Sequence, residues 1–321
     1  MSIDPPRAQG QRLGWEQLPE HIRKDIESWL GEPVAGVQSM AGGFSPGLAA
    51  RIVTVSGRKA FAKAVCRIPN AVAPKLHRRE IKVASSLPLE APAPRLLWSS
   101  DDHEGDGWVV LLFEDVEGRP PAHPWVADEL DQVIVALNEL TADLTPSPIP
   151  ASEIGGIESW DVLFQDHWSC FEDDELAPPD PWVTRNLDKL IAAERHIAAV
   201  VGGNTLLHLD LRGDNMLLTD HGVVIVDWPH ARVGAPWIDA VFFAPSVAME
   251  QGLQPEELIA RLDATRDADP EHLTLGIIGV AGFFTHHGAL PPVDGLPGLR
   301  EFQEAQGAVA RRWVAVRTGW E

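Results

Sequence analysis

The sequence predicts an α+β protein of two lobes, a small antiparallel sheet carrying one helix and then a larger, mainly helical lobe. Three observations point there. Between residues 34 and 113, short runs of small and branched residues are separated by Gly-, Ser- and Pro-rich turns, the pattern of strands with tight links. After the segment EDVEGRPP, apolar residues recur at helical spacing almost to the end of the chain. Within that helical region, residues 206–228 stand apart: two apolar runs, MLL and VVIV, flank the turn TDHG.

Taken in order, Leu18, Ile22, Ile26 and Leu30 form one helical stripe that stops at Gly31. Strands are expected over 34–40, 49–55 and 59–65, linked by AGGFSPG and SGR. A charged helix over 72–87 ends at EAPAP, and strands over 95–100 and 108–113 surround the acidic turn DDHEGDG. This divides the chain into a first lobe at 1–113, a hinge at 114–120 and a helical lobe at 121–321. In the helical lobe, Leu130, Val133, Ile134, Leu137 and Leu140 share one stripe of a helix over 126–144. Further helices are expected over 182–201, 237–252, 255–266, 271–287 and 299–316.

Composition narrows the function. Apolar residues at 45% and charged residues at 23% of 321 describe an ordinary folded chain. The formal net charge of −21 and the lack of any basic run argue against a nucleic-acid partner. Cys66 and Cys170 are far apart, so neither a disulfide framework nor a Cys-based metal site is expected. The start MSIDPPRAQGQRLG has no apolar core of a secretion signal, and the longest apolar run, near 273–284, is too short to cross a bilayer. A soluble, cytoplasmic protein with no membrane partner is the expectation.

The chemistry concentrates in HLDLRGDN, which carries His208, Asp210, Arg212, Asp214 and Asn215. A hairpin over MLL and VVIV brings Asn215 and Asp227 to the same end. An amide oxygen and a carboxylate held together are suitable hard ligands for Mg²⁺. Asp210, five residues before Asn215, can accept a proton from an attacking hydroxyl. These are the parts phosphoryl transfer requires, since its catalysis is mostly positioning and charge neutralisation.

HxDxxxxN followed twelve residues later by a strand-ending Asp resembles the catalytic core of the aminoglycoside phosphotransferase family, small-molecule kinases of the protein-kinase-like fold. The resemblance implies Asp210 as catalytic base, Asn215 and Asp227 as ligands of Mg²⁺, His208 as a brace of the loop and Arg212 as a contact of the γ-phosphate. It implies ATP or GTP as donor and a small-molecule hydroxyl as acceptor. It also makes the first lobe the nucleotide-binding one. There Lys63, on the third strand, would hold the phosphates and pair with Glu80, the sole glutamate of the following helix. Gly42, Gly43 and Ser45 of AGGFSPG would cradle phosphate, and Phe113, Glu114, Asp115 and Val116 would meet the base through their backbone. Trp228 and Pro229 after Asp227, and the early GAPWIDAVFF, depart from protein kinases. Asp239 in that segment is expected to brace the catalytic loop.

Other features divide between function and packing. Glu172, Asp173, Asp174 and Glu175 could receive a cationic acceptor such as an aminoglycoside, although such runs are commonly solvated loops. Trp160, Trp168, Trp182 and Trp237 read as packing residues more readily than as a pocket lining. His286 and His287 end a helix, where the negative dipole end suits them, and no further ligand at metal spacing is visible nearby in sequence. Three functions remain: an antibiotic-modifying phosphotransferase, a metabolite kinase acting on an amino alcohol, sugar or amino acid, and a kinase-like binding protein without turnover. The retention of Lys63, Asp210, Asn215 and Asp227 argues against the last.

Overall fold

The computed structural model describes residues 12–40, 47–68, 70–102, 107–159, 166–172, 176–293, 296 and 298–321. Its first part is a five-stranded antiparallel sheet ordered β1-β2-β3-β5-β4, from β1 (Val34–Ser39), β2 (Leu48–Thr54), β3 (Lys59–Val65), β4 (Leu96–Asp101) and β5 (Val109–Phe113). Helix α1 (Glu20–Leu30) ends at Gly31 in the left-handed conformation, a helix stop that glycine adopts without a Cβ penalty. Helix α2 (Ala73–Ala84) covers the opposite face.

Strand alternation decides what each face holds. Ala60, Ala62 and Ala64 of β3, with Val110 and Leu112 of β5 and the preceding Trp108, pack under Ile22, Ile26 and Leu30 of α1. Phe61 and Val65 of β3, with Val109, Leu111 and Phe113, turn toward α2. Lys63 therefore belongs to the α2 face by parity alone. All five residues of β5 are buried, as a central strand covered on both sides must be.

The second part is built mainly on α3 (Ala127–Asp143), α4 (Pro181–Ile197), α5 (Ile238–Met249), α6 (Pro270–Ala289) and α7 (Leu299–Thr318). Asp180 caps α4 by accepting from the Val183 N–H at 2.9 Å, and Asp269 caps α6 by accepting from Glu271 at 2.7 Å. Two small antiparallel pairs carry the loop that joins them: β6 (Thr205–Leu207) with β9 (Arg232–Gly234), and the hairpin β7 (Met216–Thr219) with β8 (Gly222–Ile225). The expected helix over 255–266 is broken into Pro255–Ile259 and Asp263–Arg266, with Leu262 extended between them and buried at 3% exposure. Its neighbour Thr265 donates its hydroxyl to the carbonyl of Leu262, a local bond that competes with helix continuation.

The segment after β5 is tied to the second part. Arg119 and Leu218 exchange both backbone hydrogen bonds, at 3.1 and 2.7 Å, and the preceding Gly118 permits the approach because a Cβ there would sit 2.9 Å from the Leu218 carbonyl oxygen. On the other side, the Ile225 N–H donates to the Pro92 carbonyl at 2.7 Å, and Val83 of α2 joins the core of the helical part. Among the described residues, no helix is long and apolar enough to cross a membrane.

Candidate active site

The loop between β6 and β7 is held in an unusual backbone path. Leu209 has φ 63°, and the two N–H groups at this bend, His208 and Leu209, donate to the two carboxylate oxygens of Asp239 at 2.8 Å each. Asp239 lies in the first turn of α5 and is itself buried. Its burial raises its pKa to about 6, against the pull of those two donors. The bracing expected of Asp239 is thus the contact observed.

His208 is fully buried and fixes the same loop from inside. Its Nδ1 accepts from the Asp210 N–H at 3.2 Å, so the ring proton sits on Nε2 and donates to the Val226 carbonyl at 3.0 Å. Burial lowers the imidazole to about 4, which keeps it neutral, and the Trp228 ring packs edge-on at 4.7 Å. The loop is thereby clamped to the end of the hairpin that carries Asp227.

Asp210 is held by two side chains. The Arg212 Nη1 donates to its Oδ1 at 2.5 Å, and the Asn215 Nδ2 donates to its Oδ2 at 3.0 Å and its carbonyl at 2.8 Å. Burial raises the Asp210 pKa and the Arg212 charge opposes the rise. Arg212 also bonds Asp214 at 2.9 and 3.1 Å, and its guanidinium lies 5.6 Å over Phe302. Its pKa is raised because two carboxylates outweigh its desolvation. Arg212 therefore orients the carboxylate expected to act as base.

The hairpin end brings in the first lobe. The Val226 N–H donates to the Asn215 carbonyl at 3.0 Å, which places Asn215 and Asp227 side by side as the turn spacing predicts. Lys63 reaches across from β3, donating to Glu80 of α2 at 2.5 Å and to Asp227 at 2.6 Å. Burial would lower the lysine, but Asp227 and Glu80 more than reverse this and hold it as an ammonium. Burial alone would raise Asp227, yet Lys63 holds it well below the usual carboxylate range; its backbone is left-handed, with φ 70°. Glu80 is pushed up by burial against the pull of Lys63. The nearby His77, buried and beside that ammonium, falls to about 4.

One ammonium stands between two carboxylates in this cluster. Asn215 spends its Nδ2 on Asp210 and so reserves its oxygen, the atom a hard cation would take. Asp227 and Asn215 thus fit a Mg²⁺ site by donor chemistry. Arg12 is a participant the sequence reading missed: it bridges Gly47, and its charge interacts with that of Asp227. Its separation of 215 residues from Asp227 hides it from any local pattern.

At the hinge, Phe113 pairs with Phe61 and Leu96 in the sheet. The Glu114 N–H is committed to the Arg95 carbonyl at 3.0 Å. Arg51 bonds the Val116 carbonyl and pairs with Asp115 at 2.8 Å. The Glu114 N–H and the Val116 carbonyl are therefore engaged within the protein. Gly42, Gly43, Ser45, Asp173, Asp174 and Glu175 lie outside the described residues, as does Trp160. Glu172 is exposed beside the buried Phe171. Trp168 is fully buried and Trp237 nearly so, as packing residues should be.

Comparison with known proteins agrees with this geometry. The model of the phosphotransferase enzyme family matches residues 42–274. No curated protein is a detectable relative by sequence. Among solved structures, the aminoglycoside phosphotransferase of Alicyclobacillus acidocaldarius is 17% identical, with 96% of this chain and 98% of that one covered at a TM-score of 0.56. A thermostable mutant of aminoglycoside phosphotransferase APH(4)-Ia, in ternary complex with ADP and hygromycin B, is 13% identical, with 93% and 98% covered and a TM-score of 0.59. Choline kinase LicA of Streptococcus pneumoniae is 14% identical, with 91% and 98% covered and a TM-score of 0.56. At these identities the structures show a shared kinase-like fold, and the family match adds the class of chemistry. The chain belongs to the phosphotransferase enzyme family and is an enzyme of its small-molecule kinase branch.

Proposed function

We propose that this enzyme transfers the γ-phosphate of ATP, or of GTP, to a hydroxyl of an amine-bearing small molecule, an aminoglycoside-like or other antibiotic. The observation that carries the reading is the Asp210 carboxylate, held by Arg212 and Asn215 next to the Asp227–Lys63–Glu80 cluster. In this account Asp210 accepts the acceptor's hydroxyl proton as that oxygen attacks phosphorus. Lys63, kept charged by its two carboxylates, neutralises the nucleotide phosphates and Glu80 fixes its position. Asp227 and Asn215 hold Mg²⁺, which supplies charge neutralisation at the phosphates when bound. The Glu114 carbonyl and Val116 N–H orient the base. Arg212 sets the direction of Asp210 and, from the same position, faces the transferring phosphate.

The net charge of −21 supports a cationic acceptor by favouring its encounter. The role of residues 1–113 as the nucleotide lobe, 114–120 as hinge and 121–321 as the acceptor-binding part follows from the same assignment. The test is nucleotide turnover over a panel of aminoglycosides, other amine-bearing antibiotics, amino alcohols, sugars and amino acids. Phosphorylation of one antibiotic class at least tenfold faster than any metabolite supports the reading. Preference for choline-like or sugar acceptors instead makes the enzyme a metabolite kinase, and nucleotide binding with no product from any acceptor removes the catalytic reading. On the true substrate, Asp210→Asn should lower kcat by about 10²–10⁴-fold.

A further inference from the structure

The fold brings together three histidines that the phosphotransfer site does not use. His286 and His287 close α6, and His167 comes from a segment more than a hundred residues earlier. Their ring centroids stand 5.2, 5.3 and 5.4 Å apart, a nearly equilateral triangle. One ring nitrogen from each lies within 4.8 Å of the other two, and the His167 and His286 Nδ1 atoms are 2.9 Å apart. From sequence, His286 and His287 show no third ligand, because His167 becomes their neighbour only through the tertiary structure.

We propose that His167, His286 and His287 form a transition-metal site, with Zn²⁺ the best-fitting ion, that fastens the segment around residue 167 to the end of α6. Three imidazoles with no carboxylate among them suit Zn²⁺ or a neighbouring divalent transition metal rather than Mg²⁺ or Ca²⁺. Around tetrahedral Zn²⁺, with bonds of about 2.0–2.1 Å, ligand nitrogens stand roughly 3.4 Å apart. The His167–His286 separation of 2.9 Å falls below that value and the remaining ones are no more than 4.8 Å, so modest ring adjustments would close the set. The His287 Nδ1–H donates to the Phe283 carbonyl at 2.9 Å, which leaves Nε2 as the ligating atom and fixes the ring in the way metal-bound histidines are fixed. The ring of the His167–His286 pair that carries hydrogen on Nδ1 transfers it to Nε2 when both bind the ion.

The support beneath these rings is rigid. The His167 and Trp168 N–H groups donate to Glu194 of α4 at 2.8 and 3.1 Å, and the Cys170 thiol donates to the His167 carbonyl at 2.8 Å. Trp168 is fully buried and bonds the Ile278 carbonyl at 3.0 Å. It can press so close to α6 because Gly282 stands opposite, where a Cβ would meet its Nε1 at 2.7 Å. Phe283 packs at 5.6 Å from His167 and 4.3 Å from His287, giving the site an apolar wall. The carbonyl end of α6 faces the site, with Arg300 as the opposing charge.

The test uses the metal-stripped full-length chain, titrated without nucleotide against Zn²⁺ and, as a spectroscopic substitute, Co²⁺. The expected result is one tight equivalent per chain that raises Tm and gives a Co²⁺ visible spectrum of a nitrogen-rich four-coordinate site. That equivalent should persist in Asp227→Asn, which removes the proposed Mg²⁺ ligand. His286→Gln, at a partly exposed position, should weaken it at least about 100-fold, and His167→Gln likewise. If His167→Gln fails to fold, His286→Gln alone decides. No tight equivalent, an unchanged affinity in His286→Gln, or its loss in Asp227→Asn would show that the triangle is only a hydrogen-bonded histidine cluster.

Discussion

The Lys63 cluster and the Asp210 loop face each other but are assembled differently. Lys63, Glu80 and Asp227 come from a strand, a helix and a hairpin end, and the Lys63–Asp227 bond joins residues 164 apart. Asp210 and the side chains that hold it, Arg212 and Asn215, lie within six consecutive positions. The first arrangement exists only when both parts of the molecule are docked, so it responds to the cleft as a whole. The second is set by local turns and is braced from outside by Asp239, whose carboxylate accepts from the two N–H groups at the bend, and by the backbone of Val226. A site that must admit and release a nucleotide gains from this division: the loop keeps its geometry while the cross-cleft ion pairs adjust.

The largest effect expected from breaking this contrast is at Lys63. Its removal in Lys63→Met leaves Glu80, 2% exposed at its side chain, without its cation. Denaturant unfolding should show a loss of about 3–5 kcal/mol, as for other buried pairs cut on one side. The double variant Lys63→Met/Glu80→Gln should recover a good part of that loss. Losses that simply add would mean the two side chains are not energetically paired.

A smaller effect is expected at the loop's outside contact. Asp239→Asn replaces one acceptor oxygen by an NH₂ facing a backbone N–H, and should cost about 1.5–3 kcal/mol of stability. It should lower kcat more than it changes nucleotide KM, since the loop and not the phosphate cluster is disturbed. An unchanged kcat would show that the bend at Leu209 holds without its brace.

The smallest effect is read in pH dependence. His77 is held near 4 when folded against 6.5 when exposed, so the unfolded chain binds more protons between those values. Its contribution is fully present above about 6.5 and is lost as pH falls toward 4. Asp239 acts oppositely: raised to about 6 from 3.8, its contribution is present below about 4 and lost as pH rises through 6. The difference curve between wild type and His77→Gln isolates the histidine. The wild-type-minus-variant stability difference should rise with pH across this window, by at most ~1.4 kcal/mol per pH unit. Parallel profiles would mean His77 titrates normally in the folded protein.

The same contrast explains what the sequence could show. HLDLRGDN and the hairpin behind it are contiguous, so Asp210, Asn215 and Asp227 were legible as a group from spacing alone. Lys63 and Glu80 could be placed only through strand order and the family resemblance, because a lone lysine on a strand carries no local signal. Strand parity, with alanines on one face of β3, is what the structure adds to explain why Lys63 points toward α2. Arg12 and His167 were missed for the same reason: each joins its cluster through packing, with no periodic or spaced partner in the chain. The break at Leu262 escaped because apolar spacing continues across it while the backbone does not.

The division of labour across the cleft is tested most directly by titrating Mg²⁺·ATP against Asp227→Asn and Asp210→Asn side by side. The account predicts that Asp227→Asn weakens binding at least tenfold, about 1.4 kcal/mol, while Asp210→Asn binds as wild type does. Equal losses in both variants, or a loss confined to Asp210→Asn, would contradict it.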